Sequence, residues 1–305
     1  MRIAITARVI VRTLAFAGLV GWLPVCAGES PTRHSQDMIT DGVFTQGIEG
    51  PAVDKDGILY AVNFAEQGTI GRIMGENQAD GFVILPGDSV GNGIRFNSRG
   101  QMLIADYVNH NIWAVDMSDR SLSVYAHEPA MNQPNDIAIS ADDIVYASDP
   151  DWASGTGQLW MITPEGDSEL IESGMGTTNG IEVSADEQYL YVNESVQRRV
   201  WRYTLSKSGR PVDKTLFYQF EDHGLDGMRS DSLGNLYIAR YGAGSIVVLS
   251  PEGKKIDEYR LKGQHPTNLA FGGKDGRQVY VTMQKRGAIE TFEARHPGRA
   301  FKLHQ

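Results

Sequence analysis

The chain has 305 residues, of which 41% are hydrophobic and 22% are charged, so it can bury a substantial core and does not have the composition of a disordered protein. Its formal net charge of −10 at pH 7 argues against nucleic acid and anionic membrane surfaces as partners, because both require a basic protein face. The single cysteine excludes an internal disulfide, a Cys-rich zinc site and an iron–sulfur cluster.

The first 27 residues have the pattern of a secretory signal peptide. Three arginines and no acid precede an apolar run of ten residues, Leu14 to Leu23, which is too short to span a bilayer core of about 30 Å. A small-x-small site predicts cleavage after Ala27, and removal of the three arginines would change the net charge from −10 to −13. We therefore expect an exported protein, periplasmic or secreted, without stable membrane insertion. An uncleaved apolar segment and a lipid-modified Cys26 are the alternatives.

After this segment and a loose leader expected over residues 28–37, one pattern recurs six times. Each copy has a polar opening residue, a short apolar strand, a turn rich in Asp, Ser and Gly, and a strand of the Leu-Tyr-x-Ala type. The six opening residues, called the anchor residues below, are Glu49, Asn92, Asn135, Asn179, Asp226 and Asn268. They follow one another at intervals of 43, 43, 44, 47 and 42 residues.

Each copy continues with a third apolar strand, and a turn then leads into a fourth. The predicted third strands are 69–73, 111–115, 158–162, 199–203, 245–249 and 288–292. Four antiparallel strands repeated every 40 to 50 residues or so are typical of a propeller blade. The sequence therefore predicts an all-β protein, a six-bladed β-propeller over residues 38–305. A solenoid with the same period is the alternative.

The anchor residues share one chemical property, a side-chain carbonyl or carboxylate oxygen. Equivalent positions of the innermost strands converge on a propeller axis, where six such side chains would be poorly solvated and mutually repulsive without a cation. Hard oxygen ligands favour Ca²⁺, with Mg²⁺, Mn²⁺ or Zn²⁺ as other possible divalent ions. The alternative is that these residues merely cap the turns entering their strands.

Five segments of the chain resemble the senescence-marker-protein/gluconolactonase family. They are EGPAVDKDG, QPNDIAIS, TTNGIEVSADEQYLYVNES, GLDGMRSDSLGNLYIARYGAG and HPTNLAFGGKDGRQVYVT, and the resemblance covers nearly all of the chain after residue 40. The family includes regucalcin-type gluconolactonases, drug-responsive bacterial lactonases and a calcium-dependent diisopropylfluorophosphatase. The resemblance implies a six-bladed propeller with a catalytic divalent metal, usually calcium, near the mouth of the tunnel.

The resemblance also implies which residues bind the metal. The matching ligands are Glu49 of the E-G-P motif, Asn135 of the N-D motif, Asn179 and Asp226 of the D-G-M motif. The third of these matches is imperfect, because Thr178 replaces the proline that usually precedes the asparagine.

Four further residues are candidates for substrate binding. Asn92 and Asn268 are not usual metal ligands of the family, so we expect them to contact substrate or water. His223 lies three residues before Asp226, on a loop expected to frame the pocket. Gln133 stands where regucalcin-type members have an arginine that holds a sugar acid. This difference weakens the case for a sugar-acid lactone and leaves another lactone, an ester or a phosphoester open.

These residues favour an exported, metal-dependent hydrolase that opens a small-molecule lactone or ester. Calcium would polarise the carbonyl and stabilise the developing oxyanion. Asp226 is the candidate general base or nucleophile, whereas Glu49 is expected to be a ligand only. A non-catalytic propeller that binds a ligand or protein, and a calcium-dependent phosphotriesterase, are the alternatives. The sequence does not indicate an oligomeric state.

Overall fold

The computed structural model describes residues 33–303, and the predicted signal peptide and residues 28–32 lie outside that range. Almost every regular element is a β-strand. In chain order the strands are β1 (Arg33–His34), β2 (Gln36–Ile39), β3 (Glu49–Val53), β4 (Leu59–Val62), β5 (Thr69–Gly75), β6 (Gln78–Ile84), β7 (Gly91–Phe96), β8 (Met102–Asp106), β9 (Asn111–Val115), β10 (Leu122–His127), β11 (Ile137–Ile139), β12 (Val145–Asp151), β13 (Thr156–Ile162), β14 (Ser168–Met175), β15 (Thr178–Val183), β16 (Tyr189–Glu194), β17 (Arg199–Leu205), β18 (Pro211–Gln219), β19 (Met228–Ser230), β20 (Leu236–Arg240), β21 (Ser245–Leu249), β22 (Lys255–Arg260), β23 (Pro266–Gly272), β24 (Gln278–Met283) and β25 (Ala288–Glu293). A 3₁₀ turn (Gln284–Arg286) and a short helix, α1 (Arg299–Leu303), complete the described chain.

The strands form six sheets, and each sheet is one blade. The first blade has the order β3-β4-β5-β6, and the next four use the following strands in the same way, from β7-β8-β9-β10 to β19-β20-β21-β22. The innermost strands contact one another in a closed cycle, β3 to β7 to β11 to β15 to β19 to β23 and back to β3. The predicted fold, an all-β six-bladed β-propeller, is confirmed, and the six predicted third strands lie in β5, β9, β13, β17, β21 and β25.

The core lies between the blades. Apolar side chains of each pair of neighbouring blades form one buried cluster, and the last cluster joins the sixth blade to the first. Every residue of β8, β20 and β21 is buried because these strands are covered on both faces by adjacent blades. This is why strands such as Met102–Asp106 read as continuous apolar runs and lack the alternation of a half-exposed sheet.

The ring is closed by the beginning of the described chain. In the sixth blade the order is β2-β25-β24-β23, so that β2, from the N-terminal side, supplies the outer strand. Ile39 of β2 pairs with Ile289 of β25 and is fully buried. β1 adds in parallel to β22 of the fifth blade. The expectation of a loose leader is therefore wrong for residues 33–37, because these strands cover edges that would otherwise be unpaired.

None of the helices within residues 33–303 is long and apolar enough to cross a membrane.

Closure by β2 predicts a large difference between two isoleucines on outer strands. Ile39→Ala should lower the free energy of unfolding by about 2–4 kcal/mol, because it leaves a cavity against the sixth blade. Ile84→Ala on β6, where the side chain is 71% exposed, should change it by less than about 0.5 kcal/mol. Chemical denaturation measures both values. Equal effects of the two substitutions would contradict the docking of β2.

Candidate functional site

A cavity of about 690 Å³ lies where the inner strands begin. Five of the six anchor residues line it, each from a different blade. They are Glu49, Asn92, Asn135, Asn179 and Asp226. The ring of oxygen-bearing side chains expected from the repeats therefore forms at five positions.

Local backbone irregularity accompanies the anchor residues. In β3, β7, β15 and β23 the pairing with the second strand is interrupted by a bulge or irregularity that spans or adjoins the anchor. Asn135 and Asp226 lie just before their strands, and their N–H groups donate to Ser148 and Ala239 at 2.8 and 2.9 Å. Bulges interrupt regular pairing and redirect side chains, which is why they are common beside binding sites.

The two acidic anchor residues face each other. Glu49 and Asp226 share a side-chain hydrogen bond, so the two carboxyl groups are in contact. Burial, together with the nearby Asp136 carboxylate, raises the pKa of Glu49 to about 7. Burial and the Glu49 carboxylate raise the pKa of Asp226 well above its usual range. A site without a cation therefore retains a proton between these carboxyl groups near neutral pH.

A cluster of buried charged side chains supports the anchor residues that form the floor of the cavity. Asp136 accepts hydrogen bonds from Arg95 at 3.2 Å and from Arg229 at 3.1 Å. Although burial alone would raise the pKa of Asp136, the two guanidinium groups hold it below its usual range. Glu182 lies 3.7 Å from Arg95 and accepts from the Ser230 hydroxyl at 2.8 Å. The positive and negative charges of this cluster therefore compensate one another, because an unpaired buried charge would lower the stability of the fold.

The residues of the floor fit a divalent cation. The Asn179 side chain donates to Asp226, but its Oδ1 is buried without a hydrogen-bond partner in the described structure. An orphaned carbonyl oxygen beside two carboxyl groups of raised pKa is the donor set that a hard cation satisfies. Residues 33–303 contain no cluster of three or more acid, His or Cys side chains placed to hold a metal. The candidate site is therefore a mixed set of carboxylates and amides: Glu49, Asn135, Asn179 and Asp226.

Asn268 is the exception among the anchor residues. It is buried beneath the cavity and does not belong to its lining, where Thr267 takes its place. Its side chain donates hydrogen bonds to Glu49 and Asp136, and its Oδ1 accepts from the Leu269 N–H at 2.9 Å. The predicted substrate contact is therefore replaced by a link between a candidate ligand and the cluster of buried charged side chains.

The other predicted substrate-binding residues line the cavity. Asn92 is on the floor, whereas Gln133 and His223 are on the loops above it. The loop of Gln133 is fixed by the buried Asp149, which accepts from the Gln133 and Asn132 N–H groups at 2.6 and 2.8 Å. His223 is about half exposed and lies 3.9 Å from Asp222.

A second ring of residues, largely missed by the sequence analysis, forms the rim. In every blade the residue directly after the second strand lines the cavity. These rim residues are Asn63, Tyr107, Trp152, Ser195, Tyr241 and Gln284. Two of them interact, since the Tyr241 hydroxyl donates to Gln284 at 2.6 Å. Their regular place in the repeat is the signal that identifies them. The turn of the fourth blade adds Val196 and Arg198 to the lining.

Comparison with known proteins agrees with this architecture. Residues 48–285 match the family model described as SMP-30/Gluconolactonase/LRE-like region. A gluconolactonase of Zymomonas mobilis is 30% identical over 216 residues, which cover 63% of this chain and 60% of that protein. A 6-deoxy-6-sulfogluconolactonase of Pseudomonas putida is 30% identical over 132 residues, or 42% and 45% of the two chains. The matches thus span about half to three fifths of these relatives.

Solved structures share the fold. The crystal structure of a calcium-binding protein, regucalcin from Agrobacterium tumefaciens, superposes with a TM-score of 0.76 at 19% identity. The superposition covers 88% of this chain and 99% of the other.

The raised pKa of Glu49 predicts how the stability of chelator-treated protein depends on pH. Between pH 4.5, the ordinary value for this side chain, and about pH 7, the native state binds more protons than the unfolded state. The free energy of unfolding should therefore fall as pH rises through this window. Glu49→Gln should make the fall shallower, whereas Glu66→Gln on an exposed loop should not. Denaturant titrations across the window measure the slope, and an unchanged slope in Glu49→Gln would refute the assignment.

Proposed function

The chain belongs to the SMP-30/gluconolactonase/LRE-like family, and from that premise we propose that it is a lactonase whose site holds a divalent cation, calcium in the first instance. The observation that carries the proposal is the contact between the half-buried acids Glu49 and Asp226, beside an Asn179 carbonyl that has no hydrogen-bond partner among the described residues. A binding module has no need for two mutually repulsive acids at the bottom of its pocket. The names of the gluconolactonase and sulfogluconolactonase relatives support a sugar lactone as the substrate class.

In the proposed mechanism, Glu49, Asn135, Asn179 and Asp226 would hold the cation. A cation bound there would supply Lewis acidity, which would stabilise the negative charge that develops on the lactone carbonyl oxygen. Asp226, once deprotonated, accepts a proton from the water that attacks the carbonyl carbon. The ring C–O bond then breaks, and the proton passes to the departing alkoxide to give the hydroxy acid. Direct attack by the Asp226 carboxylate is the alternative route.

The cavity has the size and the lining that a sugar lactone requires. Its volume of about 690 Å³ exceeds that of a six-carbon lactone, and its rim mixes amides and hydroxyl groups with aromatic rings. Gln133, Gln284 and Tyr241 offer hydrogen bonds to substrate hydroxyl groups. The Trp152 ring, 43% exposed on the rim, offers an apolar face for the substrate ring.

The proposal predicts calcium-dependent turnover. Chelator-stripped protein should be inactive on a panel of lactones, aryl esters and phosphotriesters, and added Ca²⁺ should restore hydrolysis of a lactone. Asp226→Asn and Glu49→Gln should each lower kcat/KM by about a hundredfold or more, because each removes a charged ligand. Asp56→Asn, on an exposed turn of the first blade, is the matched control and should retain activity.

Other results from this panel would favour a different function. Calcium-restored hydrolysis confined to phosphotriesters would favour the phosphotriesterase. A rise in melting temperature with Ca²⁺ but no turnover would favour a binding propeller with a structural ion. No response to any divalent ion would contradict the metal site.

We also propose that the protein is exported. The support is the pattern of residues 1–27, with a basic start, an apolar run and a small-x-small site. N-terminal sequencing of protein from the periplasm or medium should begin at Gly28. An intact Met1 on cell-associated protein would contradict export by this route.

A further inference from the structure

One backbone feature of the turn before the third strand recurs in all six blades. The residue directly before that strand has a φ between 57° and 80°, in the left-handed region. The six residues are Gly68, His110, Gly155, Arg198, Gly244 and Gly287. Glycine adopts this conformation without strain, whereas a Cβ makes it unfavourable. Four blades therefore use the residue that the turn favours, and two do not.

The two exceptions differ in where they lie. His110 does not belong to the lining of the large cavity, whereas Arg198 does. Among the described residues that line this cavity, Arg198 is the only lysine or arginine. Strained residues that are retained at the edge of a pocket point to a functional side chain.

The backbone of Arg198 is held by hydrogen bonds, whereas its guanidinium group has no partner among the described residues. Its N–H donates to the Glu194 carbonyl at 2.8 Å, and its own carbonyl accepts from the Phe220 N–H at 2.9 Å and from Gln219 Nε2 at 3.1 Å. Within residues 33–303 its guanidinium group has no hydrogen bond or ion pair, and its side chain is exposed. The neighbouring Arg199, by contrast, donates to Gln219 at 3.3 Å.

We propose that Arg198 determines specificity by binding an anionic group of the substrate, a carboxylate, sulfonate or phosphate remote from the lactone carbonyl. The inference rests on the proposed lactonase function and narrows its substrate class to acidic lactones. The chain carries a net charge of −10 and two acids on the cavity floor, so an anionic substrate would need a cationic side chain at the mouth to offset the repulsion. A guanidinium group binds such oxyanions through paired hydrogen bonds.

The test compares two lactones that differ in one group. The γ-lactone of glucaric acid carries a carboxylate where the γ-lactone of gluconic acid carries a neutral hydroxymethyl group. Calcium-loaded wild-type protein should prefer the glucaric lactone in kcat/KM. Arg198→Gly should reduce this preference by about tenfold to a hundredfold, the range for loss of a charge-assisted hydrogen bond. Arg198→Lys should retain part of the preference, and high salt should weaken it in the wild type.

His110→Gly is the matched control, because it makes the same change at the equivalent position of a blade turn that does not line the cavity. It should leave the preference unchanged. Arg198→Gly should fold at least as stably as the wild type, since glycine suits the turn, so a lost preference would not reflect unfolding. An unchanged ratio in Arg198→Gly, or a wild type that prefers the neutral lactone, overturns the proposal.

Inactivity of the calcium-loaded protein on both of these lactones and on every lactone of the panel would instead refute the proposed function. The role of Arg198 is then decided by calorimetric titration with the glucaric lactone. Binding weakened about tenfold or more in Arg198→Gly, but not in His110→Gly, would support it. Equal binding by both variants would overturn it.

Discussion

The contact between the carboxyl groups of Glu49 and Asp226 is the constraint on which the rest of the site depends. These residues belong to the first and fifth blades and meet only because six inner strands form a closed cycle. Bringing two acids together away from water is unfavourable unless they share a proton or bind a cation. The raised pKa values of both groups reflect this unfavourable free energy, which a bound divalent cation would offset.

The scaffold fixes this pair through a chain of contacts that begins at the ring closure. β2 completes the sixth blade, whose inner strand carries Asn268. Asn268 donates hydrogen bonds to both Glu49 and Asp136, and Asp136 is neutralised by Arg95 and Arg229. Loss of the pairing between β2 and β25 would therefore disturb Asn268 and, through it, the position of Glu49 on the cavity floor. The function proposed for the site thus requires the whole propeller, and no single blade contains it.

The repeats predicted the fold and most of the floor, because a period of 42 to 47 residues with one polar residue at a fixed place is a strong local signal. The repeats did not predict the features that depend on the pairing of particular strands. β2 pairs with β25, which lies some 250 residues later in the sequence, and the four residues of β2 carry no pattern that predicts this partner. The sixth anchor residue was placed one position too late, because the pairing of β23 puts Thr267, and not Asn268, at the position that Asn92 and Asn179 occupy in their blades. The unpaired state of Arg198 likewise depends on which acids fold near it.

Calcium titration by calorimetry, in buffers of different ionisation enthalpy near pH 6.5, tests the central claim most directly. The account predicts that Ca²⁺ binds the chelator-stripped protein and releases protons, because the Glu49–Asp226 pair retains a proton until the cation displaces it. Glu49→Gln and Asp226→Asn should each weaken binding by at least about tenfold. Absence of calcium binding, or binding that neither substitution alters, would contradict the account.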